Sequence, residues 1–364
     1  MSRSTRVARL RGRTFPLNSW YVAANSGEVT YQLLARRMLD IPVVLFRAGD
    51  GQVAALEDRC AHRAYPLSKG RLDGDRVVCG YHGFEYDPAG RCVRVPSQEH
   101  VPFGARVRSF PVHDDGTFIW IWAGEPALAA LRRPPSIPWL ADPDWVTFGG
   151  QDDVTADYLL LHETFADVTH VPFIHPEISP LVLKRTPPPL EVEVTETSVA
   201  LSRAYPAAPL PGWHWRSTGL GPDQAYEQRE AGRFVAPGLW ADRWDVRDGE
   251  RVYSLRFTQA VTPVTATTCG LVWRVSRNFA QRDPVADEIL RAAFSQYYAK
   301  VKEVVETVQE TIEDTGERPD VNVSADQGAL QVRKIVRVML GEETGRADRG
   351  PAARVTPAGR PGGT

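Results

Sequence analysis

The chain has 364 residues, which is enough for two domains and a substantial core. Its 43 lysines and arginines nearly balance 45 aspartates and glutamates, so the net charge of −2 gives no general attraction to nucleic acid or anionic membranes. No apolar run approaches the roughly twenty residues of a membrane helix, and no signal-peptide pattern follows the arginine-rich start at 1–13. The sequence therefore predicts a cytoplasmic protein whose partners include neither nucleic acid nor membrane.

The first third of the chain has the pattern of a small antiparallel β domain. Short apolar runs broken by glycine, proline and aspartate extend from Phe15 to about Gly124. Within them, Ile41 to Phe46 and Gln52 to Leu56 flank the turn residues Gly49-Asp50-Gly51, which predicts a hairpin. A proline-rich stretch at 132–138 is unsuited to a helix interior and indicates a domain joint.

Two short ligand pairs lie inside this predicted β domain. Cys60-x-His62 and Cys79-x-x-His82, which sixteen residues separate, each combine a thiolate with an imidazole. Two sulfurs and two nitrogens suit either tetrahedral zinc or an iron–sulfur centre. Zinc modules usually pair Cys with Cys and His with His, whereas each loop here mixes the two. This order favours a [2Fe–2S] cluster in which one iron takes both sulfurs and the other both nitrogens; the alternative is a zinc clip between two hairpins.

Two further histidines, His170 and His175, follow a predicted helix from about Tyr158 to Ala166. On a straight helix they would lie about 140° apart and would not converge. Pro172 favours ending the helix near Thr169 or His170, so that His175 can fold back toward His170. Two imidazoles with one carboxylate form the facial arrangement of non-haem Fe(II) sites. The alternative is a helix end that carries two unrelated histidines.

The remainder of the chain predicts a sheet, a long helix and a tail. Strand-like alternation returns in pieces between Leu190 and Val275, which suggests an antiparallel sheet with one buried face. From about Val285 to Asp314 the apolar residues recur at helical spacing, so an amphipathic helix should lie on this sheet. Residues from Gly341 onward are rich in Gly, Pro, Arg and Ala, which predicts disorder.

The two remaining cysteines, Cys92 and Cys269, lie far apart in sequence and in different predicted domains. We expect them to be buried or incidental thiols rather than a disulfide.

The two histidine-containing motifs make the chain resemble a Rieske non-haem iron oxygenase α subunit, most like the vanillate O-demethylase and dicamba monooxygenase group. The resemblance extends from about Phe15 to Leu340, and the cluster motif matches completely. The second family pattern, Asn-x-x-Asp-x-x-His-x4-His, matches at three of its four positions. Thr164 stands where Asn is usual, and the matching residues are Asp167, His170 and His175.

This resemblance implies an α+β fold with two cofactors. An N-terminal all-β Rieske domain at 1–130 would carry the [2Fe–2S] cluster on Cys60, His62, Cys79 and His82. A catalytic domain at 131–340, helix-grip-like with its antiparallel sheet packed on the long C-terminal helix, would hold Fe(II), and a disordered tail would occupy 341–364. The resemblance also makes His170 and His175 iron ligands. Asp167 would be the catalytic acid that links an iron-bound histidine to a cluster histidine, such as His82, of the neighbouring subunit.

The family's third iron ligand, an aspartate on the long helix, has no counterpart here. Counting back from Val304-Val305-Glu306 reaches Val301, and a second register reaches Tyr298. Glu303 is the predicted substitute, although it lies about 200° around the helix from Val301. Three arrangements stay open: local unwinding that brings Glu303 or Glu306 to the metal, a carboxylate from elsewhere, or iron held by two histidines and water.

The implied activity is that of a monooxygenase. It would use O2 to hydroxylate or oxidatively demethylate a small aromatic or hydrophobic substrate. No Gly-x-Gly-x-x-Gly fingerprint occurs, so a separate NAD(P)H-dependent reductase or ferredoxin would supply electrons. A head-to-tail homotrimer would pair one subunit's cluster with the next subunit's iron. The alternatives are an electron-transfer protein, or a structural or regulatory scaffold whose iron site is broken.

Aromatic residues of the second domain could line a substrate cavity, although core packing is their alternative fate. Arg203 or Arg216 could hold a carboxylate substrate, with surface solvation as the alternative for each. The aromatic candidates are Trp213, Trp215, Trp240, Trp244 and Phe257.

Overall fold

The computed structural model describes residues 15–316 and 318–345, which form an N-terminal lobe of short strands and a C-terminal lobe of one large sheet with helices. The α+β prediction is confirmed. The strands are β1 Trp20–Asn25, β2 Leu34–Met38, β3 Ile41–Arg47, β4 Val53–Glu57, β5 Arg71–Asp73, β6 Arg76–Val78, β7 Glu85–Tyr86, β8 Cys92–Arg94, β9 Val112–Asp114, β10 Phe118–Trp122, β11 Val146–Val154, β12 Glu191–Val194, β13 Ser198–Ala208, β14 Tyr226–Val235, β15 Leu239–Asp248, β16 Arg251–Thr265 and β17 Thr268–Arg277. The α-helices of the described residues are Pro126–Ala129, Tyr158–Ala166, Val171–Ile174, Gly212–Thr218, Pro284–Thr315 and Gln327–Thr344.

The N-terminal lobe contains three small antiparallel sheets within the described residues, ordered β1-β10-β9, β2-β3-β4 and β5-β6-β7-β8. The predicted hairpin is present, because β3 pairs with β4 up to Arg47 opposite Val53. Gly51 in its turn has φ 84°, a left-handed conformation that glycine adopts without strain. The free cysteine Cys92 is buried in this lobe, as Cys269 is in the other, and neither forms a disulfide, which confirms the prediction of incidental thiols.

The large sheet of the C-terminal lobe is antiparallel throughout, with the strand order β11-β17-β16-β15-β14-β13-β12. Alternate residues of each strand face the helices, and the strand pairing aligns these inner residues in rows across the sheet. One such row runs Leu201, Gly232, Asp242 and Phe257. Side chains that are far apart in sequence thus meet on one face, which is the face that carries the site described below.

The long helix, Pro284–Thr315, lies against that inner face. Asp283 caps its start, since the Asp283 carboxylate accepts hydrogen bonds from Val285 N at 2.9 Å and Ala286 N at 3.3 Å. The ring of Tyr298 stacks on Trp273 of β17 with centroids 4.3 Å apart. The predicted amphipathic helix is therefore present, although Val308, one of the apolar residues that recur at helical spacing, is 41 % exposed.

The predicted start of the disordered tail at residue 341 is wrong. The last helix, Gln327–Thr344, continues through it, because Glu343 ties this helix to the start of the described chain. Its carboxylate accepts from Leu17 N at 2.9 Å and from Asn18 N at 2.7 Å. The rest of the predicted tail, from residue 346, lies outside the described residues, as does the arginine-rich start. No helix within the described residues combines the length and apolar character that crossing a bilayer requires.

Candidate metal centres and substrate cavity

Two loops at one end of the small β5–β8 sheet bring the two cysteine–histidine pairs together. Each loop is closed by backbone hydrogen bonds: Cys60 N donates to Tyr65 O at 2.9 Å, and Cys79 N donates to Phe84 O at 2.8 Å. The second loop turns at Gly83, whose φ is 69° and where a Cβ would lie 2.9 Å from Cγ of Pro96. Glycine is required there by conformation and by space.

The four predicted ligands separate into a buried pair and an exposed pair. Cys60 and Cys79 are 3 % and 2 % exposed, whereas His62 and His82 are exposed, with ring centroids 4.5 Å apart. A structural zinc ion takes four equivalent donor positions around one point, whereas these donors divide into two buried sulfurs and two exposed imidazoles. Two buried sulfurs and two exposed imidazoles fit a two-iron cluster in which the cysteines bind the inner iron and the histidines bind the outer iron. The donor set therefore favours [2Fe–2S] over the zinc clip.

The Tyr86 hydroxyl contacts the first cysteine–histidine loop. It accepts a hydrogen bond from Ala61 N at 3.1 Å and lies 3.2 Å from Sγ of Cys60. Burial is the main reason that the pKa of Tyr86 is raised, so the hydroxyl keeps its proton. Because Ala61 N already donates to the hydroxyl oxygen, the hydroxyl proton is available to the sulfur. The sequence did not predict this contact, although Tyr86 lies on the strand that directly follows the second loop.

The mononuclear-iron candidates lie where the helix Tyr158–Ala166 gives way to short turns. The prediction that Pro172 ends this helix near His170 is wrong, because Asp167 ends it earlier. Asp167 has extended backbone, and its carboxylate accepts from Thr169 N at 2.8 Å, which caps a 3-10 turn instead. Pro172 begins the next short helix, a place proline favours. The chain reversal still brings His170 and His175 together, with ring centroids 5.9 Å apart.

The two imidazoles are prepared to bind a cation. His170 Nδ1 lies 2.6 Å from the backbone oxygen of Asp167, so Nδ1 carries the proton and Nε2 has a free lone pair. The Nε2 atoms of His170 and His175 are both buried without a hydrogen-bond partner. Burial lowers the pKa of His170, and burial with His170 and Lys300 nearby lowers the pKa of His175 to about 4. Two neutral imidazoles with unpaired nitrogens fit a bound iron ion.

Glu303, the predicted third ligand, does not reach this pair, so that prediction is wrong. The long helix is unbroken at this point, and it directs the Glu303 carboxylate to solvent, where it is 64 % exposed and lies 2.7 Å from Nζ of Lys300. Glu306 accepts from Thr155 N at 2.8 Å instead. Within residues 15–316 and 318–345, no other His, Cys, Asp or Glu completes a group of three with the histidines. From the long helix, Tyr297 contacts His175, with ring centroids 4.4 Å apart.

A cavity of about 110 Å³ lies between the inner face of the large sheet and the long helix. This is the scale of a cavity that accepts one small aromatic ring, about 150 Å³ for benzene. Neither His170 nor His175 lines it, but Val171 and Tyr297 do, and Tyr297 contacts His175. Trp213, Trp244 and Phe257 line it as predicted, but Trp240 packs in the core against Phe234 and Trp215 does not reach it. The other lining residues are Phe165, Val168, Val171, Ile178, Pro180, Leu183, Leu201, Glu230, Ala231, Gly232, Asp242, Arg243, Leu255, Gln259, Phe294 and Tyr297.

Two acidic residues of this cavity, Glu230 and Asp242, were not found from the sequence. For Asp242 the sequence did contain a signal. Trp240, Asp242 and Trp244 are two residues apart on one strand, so their side chains point to the same face of the sheet, which the tryptophans mark as the buried one. Arg203 is 4 % exposed and pairs with Glu230 at 3.6 Å, so its expected surface fate is wrong. Burial is also the main reason that the pKa of Glu230 is raised.

Comparison with known proteins places the chain in a family. Residues 19–111 match the Rieske [2Fe-2S] domain, and residues 154–342 match the vanillate O-demethylase oxygenase C-terminal domain. The chain therefore belongs to the Rieske non-haem iron oxygenases, as the oxygenase component of a system that needs a separate reductase or ferredoxin, O2 and a substrate.

Individual relatives match over nearly their whole length. The oxygenase component of dicamba O-demethylase from Stenotrophomonas maltophilia is 33 % identical over 88 % of this chain and 96 % of its own. The iron-sulfur subunit of the toluene-4-sulfonate monooxygenase system from Comamonas testosteroni is 30 % identical over 91 % and 99 %. A crystal structure of dicamba monooxygenase with non-heme iron and dicamba superposes with a TM-score of 0.78 at 31 % identity, covering 92 % of this chain and 100 % of that chain.

Proposed function

We propose that this oxygenase inserts one oxygen atom into a C–H bond of a small aromatic or hydrophobic molecule bound in the cavity. Its stoichiometry is R–CH3 + O2 + 2 e⁻ + 2 H⁺ → R–CH2OH + H2O, and where R ends in oxygen or nitrogen the product loses formaldehyde, which completes demethylation. The observation that carries the proposal is the pair of buried, unpartnered Nε2 atoms of His170 and His175 beside an aromatic cavity. Iron bound there supplies the centre at which O2 is reduced.

We assign the ligands and domains as follows. Cys60, His62, Cys79 and His82 hold the cluster, supported by the buried sulfurs and exposed imidazoles. His170 and His175 hold the iron, with water or a small anion in place of the third protein ligand. The Rieske domain occupies 1–130 and the catalytic domain 131–340, a division supported by the joint between β10 and β11.

Asp167 is proposed as the link between subunits. The exposed imidazoles of His62 and His82 are accessible to a neighbouring chain, and Asp167 lies in the turn that orients His170. In a head-to-tail homotrimer, the Asp167 carboxylate would meet a cluster histidine, with His82 as the candidate, and give electrons a hydrogen-bonded route to the iron. A separate NAD(P)H-dependent reductase or a ferredoxin would reduce the cluster. The cytoplasm is the proposed location, which suits four free cysteines.

The test is an iron and acid-labile sulfide assay of anaerobically reconstituted full-length protein. The proposed function expects three irons per two sulfides. His170→Ala and His175→Ala should each lower the ratio toward two per two and abolish single-turnover oxygen uptake, while the exposed His113→Ala serves as control. An electron-transfer protein, or a structural or regulatory scaffold, would instead give two irons per two sulfides in the unaltered chain. Such a result would contradict the oxygenase mechanism.

A further inference from the structure

Asp242 is an acidic side chain of the cavity that forms no ion pair with any of the described residues. No Lys or Arg nitrogen of the described residues lies within 4.0 Å of its carboxylate, in contrast to Glu230, which pairs with Arg203. The side-chain amide of Gln259, which donates to the Tyr298 hydroxyl at 3.1 Å, lies near the Asp242 carboxylate and partly opposes the rise of its pKa. Burial, with Glu230 nearby, raises the pKa of Asp242 well above its usual range, which reflects an environment that lacks a compensating cation.

The backbone opposite Asp242 makes room for this carboxylate. Asp242 pairs in register with Gly232 of β14 and with Phe257 of β16. A Cβ at residue 232 would lie 2.1 Å from Oδ1 of Asp242, a distance at which two atoms cannot coexist. The absence of a side chain at Gly232 is therefore what allows the Asp242 carboxylate to lie along the cavity wall.

The other charged residues of the cavity wall each have an ion-pair partner, although Arg243 shares the Asp245 carboxylate with Arg256. Glu230 lies 3.6 Å from Arg203 and accepts a hydrogen bond from the Tyr205 hydroxyl. Arg243 follows Asp242 in sequence, so its side chain leaves from the opposite face of the strand, and its guanidinium lies 3.5 Å from Asp245. Asp242 is thus the acidic group of the wall that has no ion-pair partner among the described residues and that a bound cation can compensate.

Aromatic rings supply much of the remaining wall. Phe257 and Phe294 have ring centroids 5.1 Å apart, and Trp213 meets Phe294 edge to face at 5.5 Å. Trp244 and Tyr297 also line the cavity. The faces of aromatic rings attract cations, most strongly where water is excluded, so this wall and the Asp242 carboxylate favour the same sign of ligand charge.

We propose that the cavity binds a small apolar molecule that carries a positively charged nitrogen, with Asp242 as its counter-ion and the aromatic rings around it. The inference rests on the proposed function, because it names the substrate class for the same cavity. An ammonium group beside Asp242 offsets the cost of burying the carboxylate. An anionic ligand would instead place a second negative charge beside it.

The test compares ligands of equal shape and different charge. Phenyltrimethylammonium and tert-butylbenzene differ in a single central atom, nitrogen or carbon, and benzoate supplies the anionic case. Calorimetric titration of the full-length, cluster-containing protein should give at least tenfold tighter binding of the cation than of the neutral probe. Asp242→Asn should abolish this preference and leave the affinity for tert-butylbenzene unchanged. Asp245→Asn, on the same strand but bonded to Ser254 and Arg256 on the other face, should retain it.

Several outcomes would overturn the inference: equal affinity for the cation and its neutral isostere, tighter binding of benzoate, or a preference that persists in Asp242→Asn. The comparison of probes on the unaltered chain needs no variant, so a misfolded variant does not block the test.

The binding measurement does not depend on catalytic turnover, so it tests the inference separately from the proposed function. Preference for the cation without oxygen uptake leaves the inference standing and defeats the proposed function, whereas oxygen uptake with anionic substrates alone does the reverse.

Discussion

Two of the proposed metal ligands are in contact with groups that position them. The Tyr86 hydroxyl lies against the Cys60 sulfur, and the Asp167 carbonyl fixes the ring of His170. The ligands themselves were predictable because their spacing is local in sequence. Tyr86 was not, because it meets Cys60 across a separation of 26 residues that only the folded sheet closes.

Removing the Tyr86 hydroxyl should lower the reduction potential of the cluster. A hydrogen bond to sulfur stabilises the reduced, more negative cluster, and a contribution of about 1 kcal/mol corresponds to about 40 mV for one electron. We expect this shift for Tyr86→Phe in a redox titration followed by visible absorption. Tyr81→Phe, at a ring that is 60 % exposed, is the matched control. An unchanged potential in Tyr86→Phe would show that the hydroxyl does not donate to Cys60.

A carboxylate introduced beside the histidine pair should strengthen iron binding. Tyr297 contacts His175, so Tyr297→Asp places an oxygen donor where the long helix meets the site. We expect at least tenfold slower loss of the mononuclear iron to a chelator, measured against unchanged cluster sulfide. Glu303→Gln should leave the loss rate as it is, because Glu303 bonds to Lys300 at the surface. Faster loss in Glu303→Gln would restore Glu303 as a ligand.

At the scale of elements, periodicity predicted the existence of the long helix and the hairpin, but not where the histidine segment turns. Pro172 was the visible signal, whereas Asp167 ended the helix through a side-chain cap. Capping and proline placement compete within a few residues, and the sequence alone did not rank them. The register of β14 and β15, which puts Asp242 over Gly232, was likewise beyond reach because it is set by pairing between strands.

Loss of the cap on the long helix should destabilise the protein measurably. The Asp283 carboxylate satisfies two backbone N–H groups, and such a cap contributes about 1 kcal/mol. Asp283→Ala should lower the free energy of unfolding by that amount in urea titrations. Glu310→Ala, exposed on the same helix, should change it little. Equal effects of the two variants would argue against the cap.

At the scale of the whole molecule, the two ends of the described chain are joined. Glu343 lies more than 320 residues from Leu17 and Asn18 yet accepts hydrogen bonds from both backbone nitrogens. Composition alone assigned this stretch to a disordered tail, because nothing near Glu343 in sequence indicates its partner. Contacts between residues so far apart in sequence are the part of the fold that is hardest to predict from a single sequence.

Glu343→Ala should therefore behave as a core-linking substitution rather than a change in a tail. Removing an acceptor for two backbone N–H groups should cost about 1 to 3 kcal/mol of unfolding free energy. Its neighbour Glu342 is exposed, so Glu342→Ala is the control. Thermal unfolding of the unaltered protein and the two variants would measure the difference. Indistinguishable transitions would show that residues 341–345 do not contribute to stability.

Stability should fall as the medium is acidified, because two buried histidines resist protonation. Burial lowers the pKa of His162 and of His214 to about 3. The unfolded chain, with histidine pKa near 6.5, binds more protons between these values, so each histidine removes about 1.4 kcal/mol per pH unit as pH falls through that window. His214→Phe should flatten the dependence by that amount between pH 6 and 4. The exposed His100→Ala should not, and equal slopes would show that His214 is accessible to protons when folded.

The pairing of a bare backbone at Gly232 with a carboxylate at Asp242 has a consequence for any redesign of ligand preference. A side chain at residue 232 cannot coexist with the present position of the Asp242 carboxylate, so a substitution at residue 232 would displace Oδ1 of Asp242. A redesign toward acidic compounds therefore begins at residue 242. A shorter residue there removes the carboxylate and leaves the space in which residue 232 can gain a basic side chain.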